Sequence, residues 1–383
     1  MTLPSTPANG KNPIKDRSPV QRRHAPTYVL IILLSFAFSV TATRIFLNLT
    51  GFPSIGTGEL HIAHVLWGGL FLFIASLIPL ILVNQWALEL SSFFAGIGVG
   101  LFIDEVGKFI TRNNNYFFPS AAPIIYAFFL LTVLVFIQVN HQRKQAPRTE
   151  MYAILEDFAE VLDRDLSQFE FDRLFSQLES IIIHSSDAQL IVLAKSLRTF
   201  LIHQKSQIVP HDPGPLEKIQ AAWNRFELKF LNQQKMRFLL VTGLFMWGIW
   251  ALTSQTIVYL ATHPAQRLTA FIQQFIIYHP MPNASGMNWF EAQILLEGSM
   301  GIISLIAVGL FLFKKEKLAV WVGTIDLIVT LIVVNLITFY FDQFSTIAFV
   351  AFQFVLLIFL LMYRRRFLSP QAKKIQEIKS SPK

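Results

Sequence analysis

The sequence predicts an all-α, polytopic transmembrane bundle on three observations. It holds eight apolar runs, each long enough for a spanning helix, which needs roughly 20 mainly apolar residues. Its composition is 53% hydrophobic with 37 Phe and a mean hydropathy of +0.49, and a water-soluble chain of that make-up would aggregate. Its positive charge also sits in alternate connections only. If the first crossing runs from inside to outside, 28 of the 32 Lys and Arg are cytoplasmic: 5 before the first span, 13 between the fourth and fifth, 3 between the sixth and seventh, and 7 after the eighth. That asymmetry places both termini in the cytoplasm. Arg44, Lys108, Arg112 and Arg267 are the exceptions.

The elements follow in order. Residues 1–25 carry Pro4, Pro7, Pro13, Pro19 and five basic residues, a composition that builds no core and predicts disorder. Arg22, Arg23 and His24 before an apolar run imitate a secretory signal. The run is too long, however, and no small-residue cleavage site follows, so it reads as an uncleaved signal anchor. Spans one to four (within 26–140) are expected near Tyr28–Leu49, Ile62–Val83, Trp86–Ile110 and Ala121–Val139.

Residues 141–237 differ, with 13 basic and 13 acidic residues. Apolar positions recur there at helical spacing (Leu155, Phe158, Leu162; Leu174, Leu178, Ile181, Ile182; Leu190, Leu193, Ala194, Leu197, Leu201), which predicts three amphipathic helices in a cytoplasmic insert. Ser185, Ser186 and Asp187 form a helix start, and His211 to Pro215 a breaker before a fourth helix from Leu216. The acidic first part (Glu150 to Asp187) and basic second part (Lys195 to Arg237) are expected to pack on each other or on anionic headgroups. The insert stiffens the bundle or docks a soluble partner protein. Spans five to eight (238–363) are expected near Phe238–Leu260, Glu291–Phe313, Leu318–Tyr340 and Phe344–Tyr363, before a basic tail over 364–383.

Several function classes fall away. With no Cys, disulfides, thiolate metal sites and Cys nucleophiles are excluded. The net charge of +8 would suit nucleic acid, but the excess lies at segment ends such as Arg364, Arg365 and Arg366, where it anchors helices and attracts anionic lipid. The expected partner is the lipid bilayer, with no nucleic acid. No glycine-rich phosphate loop, GxSxG elbow or HExxH helix occurs.

The polar residues of the first four spans converge on the extracytoplasmic side: Arg44 on span one; Glu59, His61 and His64 at the start of span two; Asp104, Glu105 and Lys108 near the end of span three; Arg112 and Tyr116 in the loop beyond. Ionisable groups within spans are costly and normally face the bundle interior with partners. Ser92, Gly96, Gly100, Asp104 and Lys108 are each four apart and form one stripe, whose GxxxG step admits a neighbouring helix. If that stripe meets the Gly68 face of span two, His61 and His64 arrive beside Asp104. Asp104 and Lys108 form an i,i+4 acid–base pair.

Such a cluster has three readings. Arg44, Lys108 and Arg112 suit an anionic solute or lipid headgroup, with the histidines orienting it or relaying protons. His61, His64, Asp104 and Glu105 are a ligand set for a divalent metal such as zinc or iron in an intramembrane enzyme acting on lipid. A hydrogen-bonded charge network that locks the first four spans is the third. The second half offers Glu291 and Glu297 on span six, Asp326 within span seven and Asp342 beyond it, which suggests that the halves face each other with complementary charge. Asp326 is the deepest, and a proton-coupling role fits it.

Two blocks, Glu59-Leu-His61-Ile-Ala-His64-Val-Leu-Trp67-Gly68-Gly69 and Gly100-Leu-Phe-Ile-Asp104-Glu105-Val-Gly107-Lys108-Phe-Ile-Thr111, resemble blocks in a family of uncharacterised bacterial multi-pass membrane proteins. Asn115 to Phe118 and Phe339 to Phe344 are similar to further parts of it. The resemblance implies a multi-pass protein of the bacterial inner membrane and carries over no catalytic residue.

Overall fold

The computed structural model describes residues 19–50, 64–141, 147–163, 166–203, 218, 222, 225, 232–262 and 284–368, apart from 114 and 117. Every extended element among them is helical: α1 Ala25–Thr50, α2 His64–Ile81, α3 Gln85–Asp104, α4 Val106–Ile110, α5 Ala121–Asn140, α6 Pro147–Asp163, α7 Gln168–His184, α8 Ala188–His203, α9 Gln233–Thr262, α10 Ala284–Leu312, α11 Glu316–Val329, α12 Asn335–Asp342 and α13 Ile347–Tyr363. Seven segments are long and apolar enough to cross a membrane, the last running from Glu316 to Leu368. The chain is therefore a multi-pass membrane protein. Its large exposed residues, such as Leu34, Phe38, Phe73 and Leu134, suit contact with lipid.

Two of the expected spans are interrupted. The third breaks at Glu105, whose backbone (φ −90°, ψ 9°) separates α3 from α4. Glu316–Leu368 contains a wide π turn at Thr330–Val334 and then reverses at Gln343, where φ is 49° and ψ −131°. Its two legs pack on each other, with Asn335 Nδ2 donating to Gln353 Oε1 at 2.7 Å. The preceding turn ends α10 with Lys314 at φ 61°. The Lys315 amide there donates to the Leu310 carbonyl, a left-handed helix cap of the Schellman kind.

The chain divides into two compact units. The first comprises residues 1–35, 73–96 and 133–214. Its core is the insert: Ile154, Phe158, Leu174, Leu178, Ile181, Ala194 and Leu201 come together from α6, α7 and α8. The α7 face is the one its spacing indicates, whereas α6 turns Ile154, Phe158 and Val161 inward and leaves the expected Leu155 and Leu162 exposed, as α8 leaves Leu193. Ser167 and Glu170 close a reciprocal capping box on α7, and Asp187 caps α8 through the Gln189 amide. The acidic and basic parts meet where Arg198 pairs with Glu179. Not legible in the sequence is the fastening of the amino-terminal basic residues to this insert: Arg22 pairs with Glu156 at 2.9 Å and Arg23 with buried Asp157 at 2.8 Å. Residues 1–18, most of the expected fourth insert helix and Arg267 lie outside the described residues.

The second unit comprises residues 36–72, 97–132 and 215–383. Its largest core gathers Leu240, Leu244, Trp247, Ala307, Phe311, Leu327, Leu356 and Leu360 from α9, α10, α11 and α13. A smaller one joins Phe36, Val40, Ile103 and Ile125, with Phe344 packed against it.

Candidate functional site: a charge network around Asp104

Glycines bring three helices of the second unit close enough for their polar side chains to meet. A methyl group added to Gly68 on α2 would lie 2.8 Å from the Phe102 nitrogen and 2.9 Å from the Gly98 carbonyl oxygen, and one on Gly98 would lie 2.9 Å from the Gly68 carbonyl oxygen. These two backbones touch. Gly100 faces α1, where a methyl would lie 2.8 Å from Ser39 Cβ and where Ser39 Oγ donates to the Ile97 carbonyl at 3.2 Å. The expected stripe is thus corrected: Gly98 serves α2, and Gly100 serves α1. Residues two apart on a helix point to nearly opposite sides, so α3 is held between both neighbours.

His64 lies one helical turn before Gly68, and it reaches Asp104. Its Nε2 stands 3.1 Å from Asp104 Oδ2 and its Nδ1 2.9 Å from Glu105 Oε1. With a carboxylate at each ring nitrogen, only the imidazolium donates to both. Arg44 on α1 donates from Nε to Asp104 Oδ1 at 2.6 Å and from Nη2 to the Asp104 carbonyl at 3.1 Å. The second bond satisfies a carbonyl that the end of α3 leaves without a helical partner. The guanidinium lies between two rings, 4.2 Å from the Tyr116 centroid and 4.0 Å from that of Phe344, a cation–π sandwich that strengthens as water is excluded.

Tyr116 completes the coordination of Asp104, its hydroxyl donating to Oδ2 at 2.6 Å. Burial first, and then the Asp104 carboxylate, push the Tyr116 phenol well above its ordinary pKa, which keeps it a donor. Its loop is fixed locally: Thr111 Oγ1 donates to the Gly107 carbonyl and accepts from the Asn115 amide, both at 2.7 Å. A methyl on Gly107 would lie 2.8 Å from the Asn115 carbonyl oxygen, so only glycine lets this loop double back.

Lys108 departs from the expected i,i+4 pairing. Its Nζ meets Glu105 Oε1 at 3.1 Å, because the break at Glu105 turns α4 away from the axis of α3. Asp104 is instead held by Arg44, His64 and Tyr116. The result is two carboxylates, 0% and 1% exposed, surrounded by three cationic side chains.

Of the other expected residues, Arg112 is exposed in the loop beyond α4. Glu59, His61 and the side chain of Glu291 lie outside the described residues. Glu297 and Asp326 are buried elsewhere in this unit, and Asp342 ends α12. The complementary charge expected of the second half does not reach this network among the described residues. Its contribution is the Phe344 ring, a contact no local pattern signals. Nor do the described residues include a group of three His, Asp or Glu placed to hold a metal ion, and both His64 nitrogens are already committed to carboxylates. No family model, curated protein or solved structure matches the chain.

Proposed function

We propose that this chain is an eight-span protein of a bacterial inner membrane, with both termini and the α6–α8 insert cytoplasmic, that binds or moves a small anionic solute or lipid headgroup at the Asp104 network near the extracytoplasmic face. The observation that carries the reading is the charge balance. Arg44, His64 and Lys108 place three positive charges against the two of Asp104 and Glu105, and exposed Arg112 stands four residues beyond Lys108. The surplus lies at the accessible edge, since the Lys108 side chain is 25% exposed and that of Arg44 only 9%. Arg44, His64 and Tyr116 hold the carboxylates in place, and Lys108 and Arg112 meet the incoming anion. Lys108 retains two further donors beyond the bond to Glu105.

The reversal at Gln343 supports eight crossings, because it folds Glu316–Leu368 into two legs. The chain contains no Cys, so single cysteines introduced at 112 and 366 give an unambiguous topology test. Membrane-impermeant maleimide should label position 112 in intact cells and position 366 only after lysis.

For the anion site, the purified chain is reconstituted into phosphatidylcholine nanodiscs with and without phosphatidylglycerol, and separately titrated with inorganic phosphate. A ligand that binds only the folded state raises the melting temperature. The expected result is a rise with phosphatidylglycerol or phosphate that the Lys108→Gln, Arg112→Gln double variant loses, the probe that works identifying the source. An equal rise in that variant would overturn the site.

A further inference from the structure

The interior of the second unit holds an acid that the Asp104 network does not use. Asp326 on α11 is 1% exposed, and among the described residues neither carboxylate oxygen has a hydrogen-bond donor in bonding geometry. The Ser304 hydroxyl on α10 is close by but is given to the Leu244 carbonyl at 3.1 Å. An ionised carboxylate without donors in a water-excluded interior is very unfavourable, and such groups inside membrane helices mark proton and ion pathways. Thr330 follows Asp326 by one helical turn, is fully buried, and also has an unpartnered hydroxyl.

Among the described residues, the longer run of buried polar side chains continues from there in one direction. The π turn starts at Thr330, with the Asn335 amide donating back to the Thr330 carbonyl. The Leu331 carbonyl it releases accepts from Tyr126 at 2.6 Å. Turns of this kind concentrate at functional sites. Beyond it lie buried Asn335 and Thr338 on this leg and Gln353 on the returning one. From Asp326 to Thr338 the rise is roughly 18 Å. Helix α10 packs along the π turn and α12 and contributes Gln293, Glu297 and Ser304, all buried and spaced to share one face. In the other direction only Thr324 is buried and polar on this helix among the described residues, and beyond it the interior is apolar, with Leu244, Ala307, Phe311, Val320 and Leu360. Among the described residues, the other ionisable groups on the helices packed around this interior are Glu297 on α10, Tyr126 on α5, Tyr340 and Asp342 on α12 at the Gln343 turn, and Lys235, Arg237, Glu316, Lys317 and Tyr363 at the far end, where Tyr363 donates to Glu316 at 2.8 Å.

We infer that Asp326 is a proton-exchange site at the closed end of a polar track running past Thr330, Glu297 and Asn335 to the Gln343 turn. A proton released from the Glu297 carboxyl to water travels as hydronium, bonds to an Asp326 oxygen and leaves water behind, with the carboxylate remaining at Glu297; the reverse step returns it by the same route. Because the opposite direction is apolar beyond Thr324, the site loads and unloads from one side. This inference is independent of the anion site.

The test is infrared difference spectroscopy of the full purified chain in lipid, titrated from about pH 4 to about pH 10, a range that brackets ordinary carboxyl and imidazole groups. One protonated-carboxyl band is expected to titrate reversibly, to shift in D2O, and to be absent from Asp326→Asn, which preserves shape and folding. Glu297→Gln is expected to retain the band and slow its hydrogen–deuterium exchange by about tenfold or more, as loss of a relay group does. A spectrum unchanged by Asp326→Asn, or an Asp326 band that neither titrates nor exchanges, would overturn the site. A band that responds to Na+ instead of pH would do so as well. Unchanged exchange in Glu297→Gln would overturn the route.

Discussion

Asp104 and Asp326 are buried alike, at 0% and 1% exposure, in the same unit of the molecule, yet their surroundings are opposite. Asp104 accepts from a guanidinium, an imidazolium and a phenol; among the described residues no donor is bonded to either oxygen of Asp326. The comparison teaches that burial alone does not say what an acid is for. A partnered carboxylate keeps its charge and organises the helices that supply its donors, and an unpartnered one must meet its charge with something that comes and goes.

The largest expected effect breaks the partnered side. Arg44→Ala leaves Asp104 ionised without its main partner, and removing one member of a buried pair costs about 3–5 kcal/mol. We expect this variant to lose most folded protein on size-exclusion chromatography, and Arg44→Leu with Asp104→Leu to recover much of it, because the apolar pair leaves no orphaned charge. Failure of the double variant to improve on the single one would mean that the network contributes more than compensation.

Next come the close approaches that bring the network together. Gly68→Ala sets a methyl 2.8 Å from backbone that cannot yield cheaply, and overpacking of this kind costs about 1–3 kcal/mol. Because it also displaces His64, the loss in denaturant unfolding should exceed that of Gly69→Ala, where a methyl meets nothing within 4 Å.

Tyr116→Phe removes a bond to a charged acceptor, worth about 1.5–3 kcal/mol. Its pH dependence follows from the raised phenol pKa. The folded state holds this proton more tightly than the unfolded state, so its contribution is complete below the ordinary tyrosine value of about 10 and declines as pH rises beyond it. The wild type should therefore lose more stability than Tyr116→Phe between about pH 9 and about pH 11, in parallel denaturant titrations. The smallest effect belongs to the turn before α11: Lys314→Gly relieves φ 61° and should stabilise by about 0.5–1 kcal/mol.

The helices were legible in the sequence because their signals are local. Apolar runs and the 3.6-residue spacing of the insert require nothing from distant residues, and α7 buries the face its pattern indicates; α6 is rotated from its expected face, burying Ile154 and Val161 and exposing Leu155 and Leu162. The conditional expectation that Gly68 packing brings His64 beside Asp104 is met through Gly98, not through the expected Gly96–Gly100 stripe. What escaped was non-local. Phe344 covers Arg44 from 300 positions away, a contact that exists only once the Gln343 turn has formed. The break at Glu105, which hands Lys108 to a different acid, and the π turn at Thr330 carry no residue signature, because each arises from packing that overrides helix propensity. The donor count at Asp326 was equally hidden; sequence marks an acid as buried, and only coordinates show what surrounds it.

The contrast between the two acids is tested most directly by comparing Asp104→Asn and Asp326→Asn in one unfolding assay in lipid. The account predicts a loss of several kcal/mol, or no folded protein, for Asp104→Asn, and no loss beyond about 1 kcal/mol for Asp326→Asn. Equal losses in the two variants would contradict it.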